Sequence, residues 1–253
     1  MRSAKGPAAA GRLTPWGRAD RRQPLPGRSE RSRSRWPIAA DAWYLTGSVQ
    51  FKPLLRLPRN MVVLRHGGEL MLINSVRLDA DGEAQLNALG RVAHVMKIGM
   101  HGMDDAYDVD RYHAKLWRAE ALQNDTALPF PDVSVFRFQH TVQAECALLV
   151  ARDGGLLVTC DAIQHWAPSG LMSPLAKIVT RLIGFHKPAQ IGPPWRKKQT
   201  PRGGTLRGDF ERLAALPFQR LIGGHGGLLE VEAQALVRAS IARELPEGRD
   251  GLK

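Results

Sequence analysis

Apolar residues recur in short blocks separated by glycine, proline and aspartate, and the blocks alternate between strand and helix periods. Ala40 to Thr46 reads as a first strand. Met61 to Arg65 and Leu70 to Asn74 are apolar and joined through Gly67-Gly68, which predicts a hairpin. Asp79 to Leu89 has Leu86 and Leu89 on one helical face, and Val92 to Ile98 is strand-like. A loop from Gly99 to Tyr107 precedes a predicted helix, Asp108 to Gln123, whose apolar positions Val109, Tyr112, Leu116 and Trp117 keep three-to-four spacing. Val133 to Phe138, Cys146 to Ala151 and Leu156 to Thr159 read as strands, the last two turning through Asp153-Gly154-Gly155. Leu171 to Leu182 predicts an amphipathic helix, and 188–204 a Pro/Gly-rich loop. Asp209 to Leu216, Phe218 to Ile222 and Val231 to Arg243 predict helix, strand and closing helix. No internal repeat is visible. This order suits an α/β fold: two mixed β-sheets packed face to face with helices on the outer faces, an αββα sandwich.

Charge changes the picture at one end only. The 253-residue chain has net charge +12, and residues 1–35 hold ten Lys/Arg against Asp20 and Glu30. That segment is too poor in large apolar residues to offset its ordering entropy, so a disordered basic tail is expected there. The domain is expected over 36–245, and a flexible C-terminus over 246–253. The tail reads equally as a transit peptide, a nucleic-acid or membrane-surface arm, or a non-functional extension. The domain keeps only about +4, so its fold is not read as a nucleic-acid surface.

Other classes are set aside. No apolar run approaches the roughly 18 residues of a membrane span. No secretory leader is visible, so a cytoplasmic protein is expected, or an organellar one if the tail is a transit peptide. Two cysteines, Cys146 and Cys160, are too few for a disulfide framework and read as buried strand residues.

Candidate chemistry gathers at predicted strand ends. His101 and Asp105 follow one strand, and His140, Asp161 and His225 follow three others. Imidazole and carboxylate are ligand types for zinc or iron. The glycines around His225 permit close backbone approach. His113 and His165 lie near these loops and are read as structural.

In these elements the chain resembles the metallo-β-lactamase superfamily over about residues 40–243. His101-Gly102-Met103-Asp104-Asp105-Ala106 stands for its His-x-His-x-Asp-His loop. Gln139-His140-Thr141, Thr159-Cys160-Asp161-Ala162 and Gly224-His225-Gly226 stand for the later elements. The resemblance implies two metal positions. The first would keep His101 and His140 and lose a ligand at Met103; the second would keep Asp105 and His225 and lose one at Ala106; Asp161 would bridge. One divalent metal is then expected, zinc first, with iron or manganese as alternatives. It would be held by His101, His140 and Asp161, or by Asp161, Asp105 and His225. Such an ion implies hydrolysis of an ester, lactone, thioester or phosphoester, with Asp105 as general base. The competing reading is a degenerate site with no metal and a binding or structural role. β-Lactam hydrolysis itself is not expected. Tyr107, Trp195, Arg196 and Lys197 are candidate contacts for a small, anionic substrate, and the oligomeric state is open.

Overall fold

The computed structural model describes residues 12–13, 19–20, 36–52, 54–99, 105–166 and 171–247. Among the described residues, fourteen strands and six α-helices follow in chain order. They are β1 Arg12–Leu13, β2 Ala19–Asp20, β3 Trp36–Ala39, β4 Ala42–Lys52, β5 Leu55–His66, β6 Glu69–Ile73, α1 Ala80–Asn87, β7 Arg91–Lys97, α2 Asp105–Tyr112 and β8 Lys115–Arg118. After these come β9 Val133–Arg137, β10 Cys146–Val150, β11 Leu156–Val158, β12 Ile163–Gln164, α3 Pro174–Leu182, β13 Gln190–Ile191, α4 Pro193–Gln199, α5 Arg207–Ala214, β14 Arg220–Ile222 and α6 Ala233–Glu244. One sheet has the order β2-β1-β4-β5-β6-β7-β8, with β3 paired to β4; a second has β14-β11-β10-β9; β12 and β13 form a ribbon.

Side-chain alternation builds the layers. In β5, Val62 and Leu64 point into a cluster shared with Val135, Leu148 and Val158 of the second sheet. Met61 and Val63 point the other way, into a cluster with Leu86 of α1 and Val109 of α2. The outer face of the second sheet, with Ala147, Leu149 and Leu157, packs on Trp195, Phe210, Leu213 and Val237 of α4, α5 and α6. Three apolar layers between four structural layers make the expected αββα sandwich. Because β10 is covered on both faces, all five of its residues are buried, and it reads as an unbroken apolar run. Truncating Leu148 in this inter-sheet layer to alanine costs about 2–5 kcal/mol.

Two expectations need correction. The helix predicted over 108–123 is α2, ending at Tyr112, followed by the strand β8. His113 sits at φ 52 and stops the helix. Leu116 and Trp117 then pair in parallel with Val95 and Met96 of β7, so sheet hydrogen bonding outweighs the helical spacing. The loop predicted over 188–204 contains α4. Pro193 and Pro194 occupy its first turn, where a fixed φ and a missing N–H favour helix initiation. Within the basic segment, β1 pairs with β2 and, through Leu13, with Val49 of β4. Cys146 and Cys160 are both buried and free, and burial pushes the Cys146 thiol up to about 12.

Candidate metal centre

Strand direction decides which loops can meet. β9 and β11 both run antiparallel to β10, and β14 runs parallel to β11. The chain therefore leaves β9, β11 and β14 at one edge of the sheet, carrying His140, Asp161 and His225. Gly99, just beyond β7 of the other sheet, abuts the same edge: a Cβ there would lie 2.6 Å from Cys160 Cβ.

The turn after β14 is pinned from β5. Asn60 Nδ2 donates to the carbonyls of Gly223 and Gly226 at 3.0 Å each, and the Asn60 N–H donates to Gly224 O at 3.0 Å. Thr46 Oγ1 donates to Asn60 Oδ1 at 2.9 Å and fixes the amide orientation. Gly226 adopts φ 84, and a Cβ there would meet His165 O at 2.2 Å, so only glycine fits.

His225 is held on every side. Its Nδ1 lies 2.6 Å from Pro58 O, and a carbonyl can only accept, so Nδ1 carries the hydrogen. Its Nε2 lies 3.3 Å from Arg59 Nη1 and 3.3 Å from Asp161 Oδ1. Trp166 stacks on the ring at 5.6 Å and 16°. Burial first, and then the Arg59 guanidinium, push the imidazole down to about 3 against the Pro58 hydrogen bond. The ring is therefore neutral at ordinary pH, and its contact with Asp161 is not an ion pair. Nε2 acts as an acceptor, and Arg59 donates to it. Asp161 is buried, and its Oδ1 accepts from Gln164 Nε2 at 2.9 Å.

His140 is set differently. Asp209, fully buried on α5, takes the Gln139 and His140 N–H groups on Oδ2 at 3.0 and 2.8 Å. Its Oδ1 lies 3.3 Å from His140 Nδ1 and also accepts from Arg212. Burial raises the Asp209 pKa, but the His140 N–H, Arg212 and the Gln139 N–H outweigh it and hold the carboxyl below its ordinary range. The His140 side chain is 61% exposed. With Nδ1 committed to a carboxylate, Nε2 is left as the free donor atom, the arrangement a carboxylate-oriented metal ligand takes.

The remaining candidates fall as follows. His101 and the side chains of Asp105 and Tyr107 lie outside the described residues; Asp105 begins α2, with Tyr107 two positions on. Trp195 is 3% exposed and packs at 5.7 Å from Phe138 and 5.8 Å from Phe210, a core position and not a substrate contact. Arg196 donates to the Glu244 carbonyl, and Lys197 is exposed. His165 contributes its carbonyl, which accepts the Gly227 N–H at 2.7 Å. Among the described residues, no group of three or more His, Cys, Asp or Glu is arranged to hold a metal. Sequence reasoning missed Arg59, Asn60, Gln164 and Asp209. The one available signal was the pair of arginines and the asparagine in Arg56 to Asn60, which belong to β5.

Comparison with solved structures gives the fold independently. The mono-zinc form of the metallo-β-lactamase FIM-1 from Pseudomonas aeruginosa superposes with a TM-score of 0.57 at 12% identity, covering 83% of this chain and 94% of that one. The metallo-β-lactamase from Hirschia baltica gives 0.56 at 9% identity over 82% and 96% of the two chains. The one from Pontibacter korlensis gives 0.55 at 12%, over 83% and 99%. This chain has the metallo-β-lactamase fold. No family model matches its sequence, and no curated protein is similar to it.

On the metallo-β-lactamase fold the question is how many metals these residues suit. A second metal beside Asp161 would need the His225 Nε2 lone pair. That lone pair already receives Arg59 Nη1, whose guanidinium is a permanent cation. Ala106 supplies no donor there. At the same sheet edge His140 has a carboxylate-bound Nδ1, and Asp161 is a buried carboxylate.

Proposed function

We propose that the protein is a mononuclear metal-dependent hydrolase acting on a small ester, lactone, thioester or phosphoester. Its single divalent ion is held by His101, His140 and Asp161, a two-histidine, one-carboxylate set that suits zinc first and iron or manganese next. The observation that carries this reading is the Asp209–His140 pair at 3.3 Å, because a buried carboxylate fixing Nδ1 is how a ligating imidazole is oriented. Bound there, the ion would supply a nucleophilic water at neutral pH and polarise the scissile carbonyl or phosphoryl oxygen.

The chain's own groups do the rest. Asp161 is oriented by Gln164, whose Nε2 donates to its Oδ1 at 2.9 Å. Asp105, at the start of α2, takes the proton as general base. Tyr107 and Lys197 meet the substrate's polar or anionic part, whereas Trp195 and Arg196 are committed elsewhere.

A second reading is a degenerate domain that binds without hydrolysis. Arg59 on His225 Nε2 favours it, since a protein cation stands where a metal would need a ligand. Purified protein reconstituted with zinc and assayed on representatives of the four ester classes separates the two. Hydrolysis that a chelator removes, zinc restores and His140→Ala abolishes is expected. Less than about 0.2 metal per chain after reconstitution would overturn the hydrolase.

A further inference from the structure

Helix α3 is built inside out. Its inward positions are the small residues Ala176 and Thr180, both buried, and the Thr180 hydroxyl is satisfied by the Ala176 carbonyl at 2.7 Å. Its large apolar residues face solvent: Leu175 is 41% exposed, Ile178 58% and Leu182 80%, with Ile183 at 45% just beyond. Leu54, 75% exposed, lies at the helix start, where Ser173 Oγ donates to its carbonyl. Five of the seven large apolar side chains exposed among the described residues therefore form one patch. The stripe contributes nothing to the core clusters. A soluble surface seldom gathers so many without a use for them.

The patch is flanked by charge of one sign. Lys177 and Arg181 are exposed on α3 itself, an i, i+4 cationic edge beside the apolar stripe. Between Asp161 and Asp209 the chain has eight Lys/Arg and no acidic residue; between Asp41 and Glu69 it has four and none. Of these, Lys177 and Arg181 stand on α3 and Arg56 is bonded at its start, whereas Arg65 is paired with Asp41 and Arg207 with Glu211 and Glu247.

The helix is also held in place. Ser173 caps it, Arg56 Nε donates to Leu171 O at 3.0 Å, and the Ser173 N–H donates to Arg56 O at 3.2 Å. At its other end Phe185 lies 5.0 Å from Trp166, which stacks on His225. α4, with Lys197 and Lys198, begins beside Gly184, whose Cβ would lie 3.5 Å from Pro193.

We propose that the outward face of α3 docks the protein on an anionic lipid bilayer, apolar side chains entering the acyl boundary and Lys177 and Arg181 meeting headgroup phosphates. A nine-residue helix with large apolar side chains on one face and cations beside it suits the plane of a membrane interface. Nucleic acid would use the cations but not the leucines. Docking this way sets the ring series Phe185, Trp166, His225 next to the interface. The inference stands whether or not the site hydrolyses anything.

The test is co-sedimentation of the full chain with vesicles of phosphatidylcholine and phosphatidylglycerol at about 3:1, and with phosphatidylcholine alone. Wild type is expected to partition onto the anionic vesicles. Ile178→Glu with Leu182→Glu, at exposed positions, should leave the unfolding midpoint in place and weaken partitioning about 100-fold. Lys177→Gln with Arg181→Gln should weaken it on the order of 10-fold and erase the preference for phosphatidylglycerol. The proposal is overturned if the glutamate double variant partitions like wild type, which would assign the binding to the basic segment 1–35. It is equally overturned if wild type ignores both vesicles, including the case where gel filtration shows a dimer that the glutamates dissociate.

Discussion

Asp209→Ala removes the acceptor that holds the His140 loop. Two backbone N–H groups, at 2.8 and 3.0 Å, lose their partner, His140 Nδ1 loses its carboxylate, and Arg212 keeps only the Arg137 carbonyl and the Phe136 ring. Breaking a buried charged pair by removing one member costs about 3–5 kcal/mol. The Arg212 side chain is 39% exposed and rehydrates, which places the expected loss near the lower end, about 3 kcal/mol. Asn at this position keeps an oxygen for the backbone donors and loses only the charge, for roughly half that cost. With a urea m-value of about 2–3 kcal/mol/M, the alanine variant should shift the unfolding midpoint down by about 1 M. Zinc affinity, read by competition with a chromogenic chelator, should fall on the order of 10- to 100-fold in the same variant. A midpoint within about 0.2 M of wild type would refute the structural account of Asp209. An unchanged zinc affinity alongside lost stability would refute its role in orienting His140.

Other outcomes follow from the same geometry. Asn60→Ala strips two carbonyl acceptors of their donor and should cost about 2–3 kcal/mol, with faster hydrogen exchange at Gly223–Gly227 than elsewhere. Gly99→Ala forces a Cβ to 2.6 Å from Cys160 Cβ and 2.9 Å from Glu145 Oε1, so thermal unfolding should show a loss of about 1–3 kcal/mol. Asp209 and Asp132 both have folded pKa values below their ordinary 3.8, Asp132 chiefly through its hydrogen bond from Arg152. Their stabilisation is complete above 3.8 and is lost as pH falls through the lower folded values. Acid unfolding curves of Asp209→Asn should therefore be flatter below pH 4 than those of wild type; parallel curves would contradict the depressed value.

Much of this was legible because buried strands advertise themselves. β9, β10 and β11 are apolar runs between turn residues, so His140 and Asp161 could be assigned to strand ends. The hairpin at Gly67-Gly68 declared itself by residues that tolerate φ 55 and 82. Other parts were hidden for physical reasons. β5 begins six residues before its apolar stretch, because Arg56, Pro58, Arg59 and Asn60 face α3 and the His225 turn and not the core. That concealed the groups that pin the His225 turn. α2 and β8 were fused into one helix because Leu116 and Trp117 satisfy helical spacing while pairing with β7. In α3 the apolar stripe was visible, but its outward orientation was not; spacing gives a face, and only packing says where it points.

The central claim is one metal per chain, held through His140 and Asp161, with Arg59 taking the place of a second. Metal content by elemental analysis after saturation with zinc tests it in three proteins. Wild type should hold about one ion, His225→Ala should still hold about one, and His140→Ala should hold on the order of a tenth of that. Two ions in wild type, or an ion that survives His140→Ala and vanishes in His225→Ala, would contradict it.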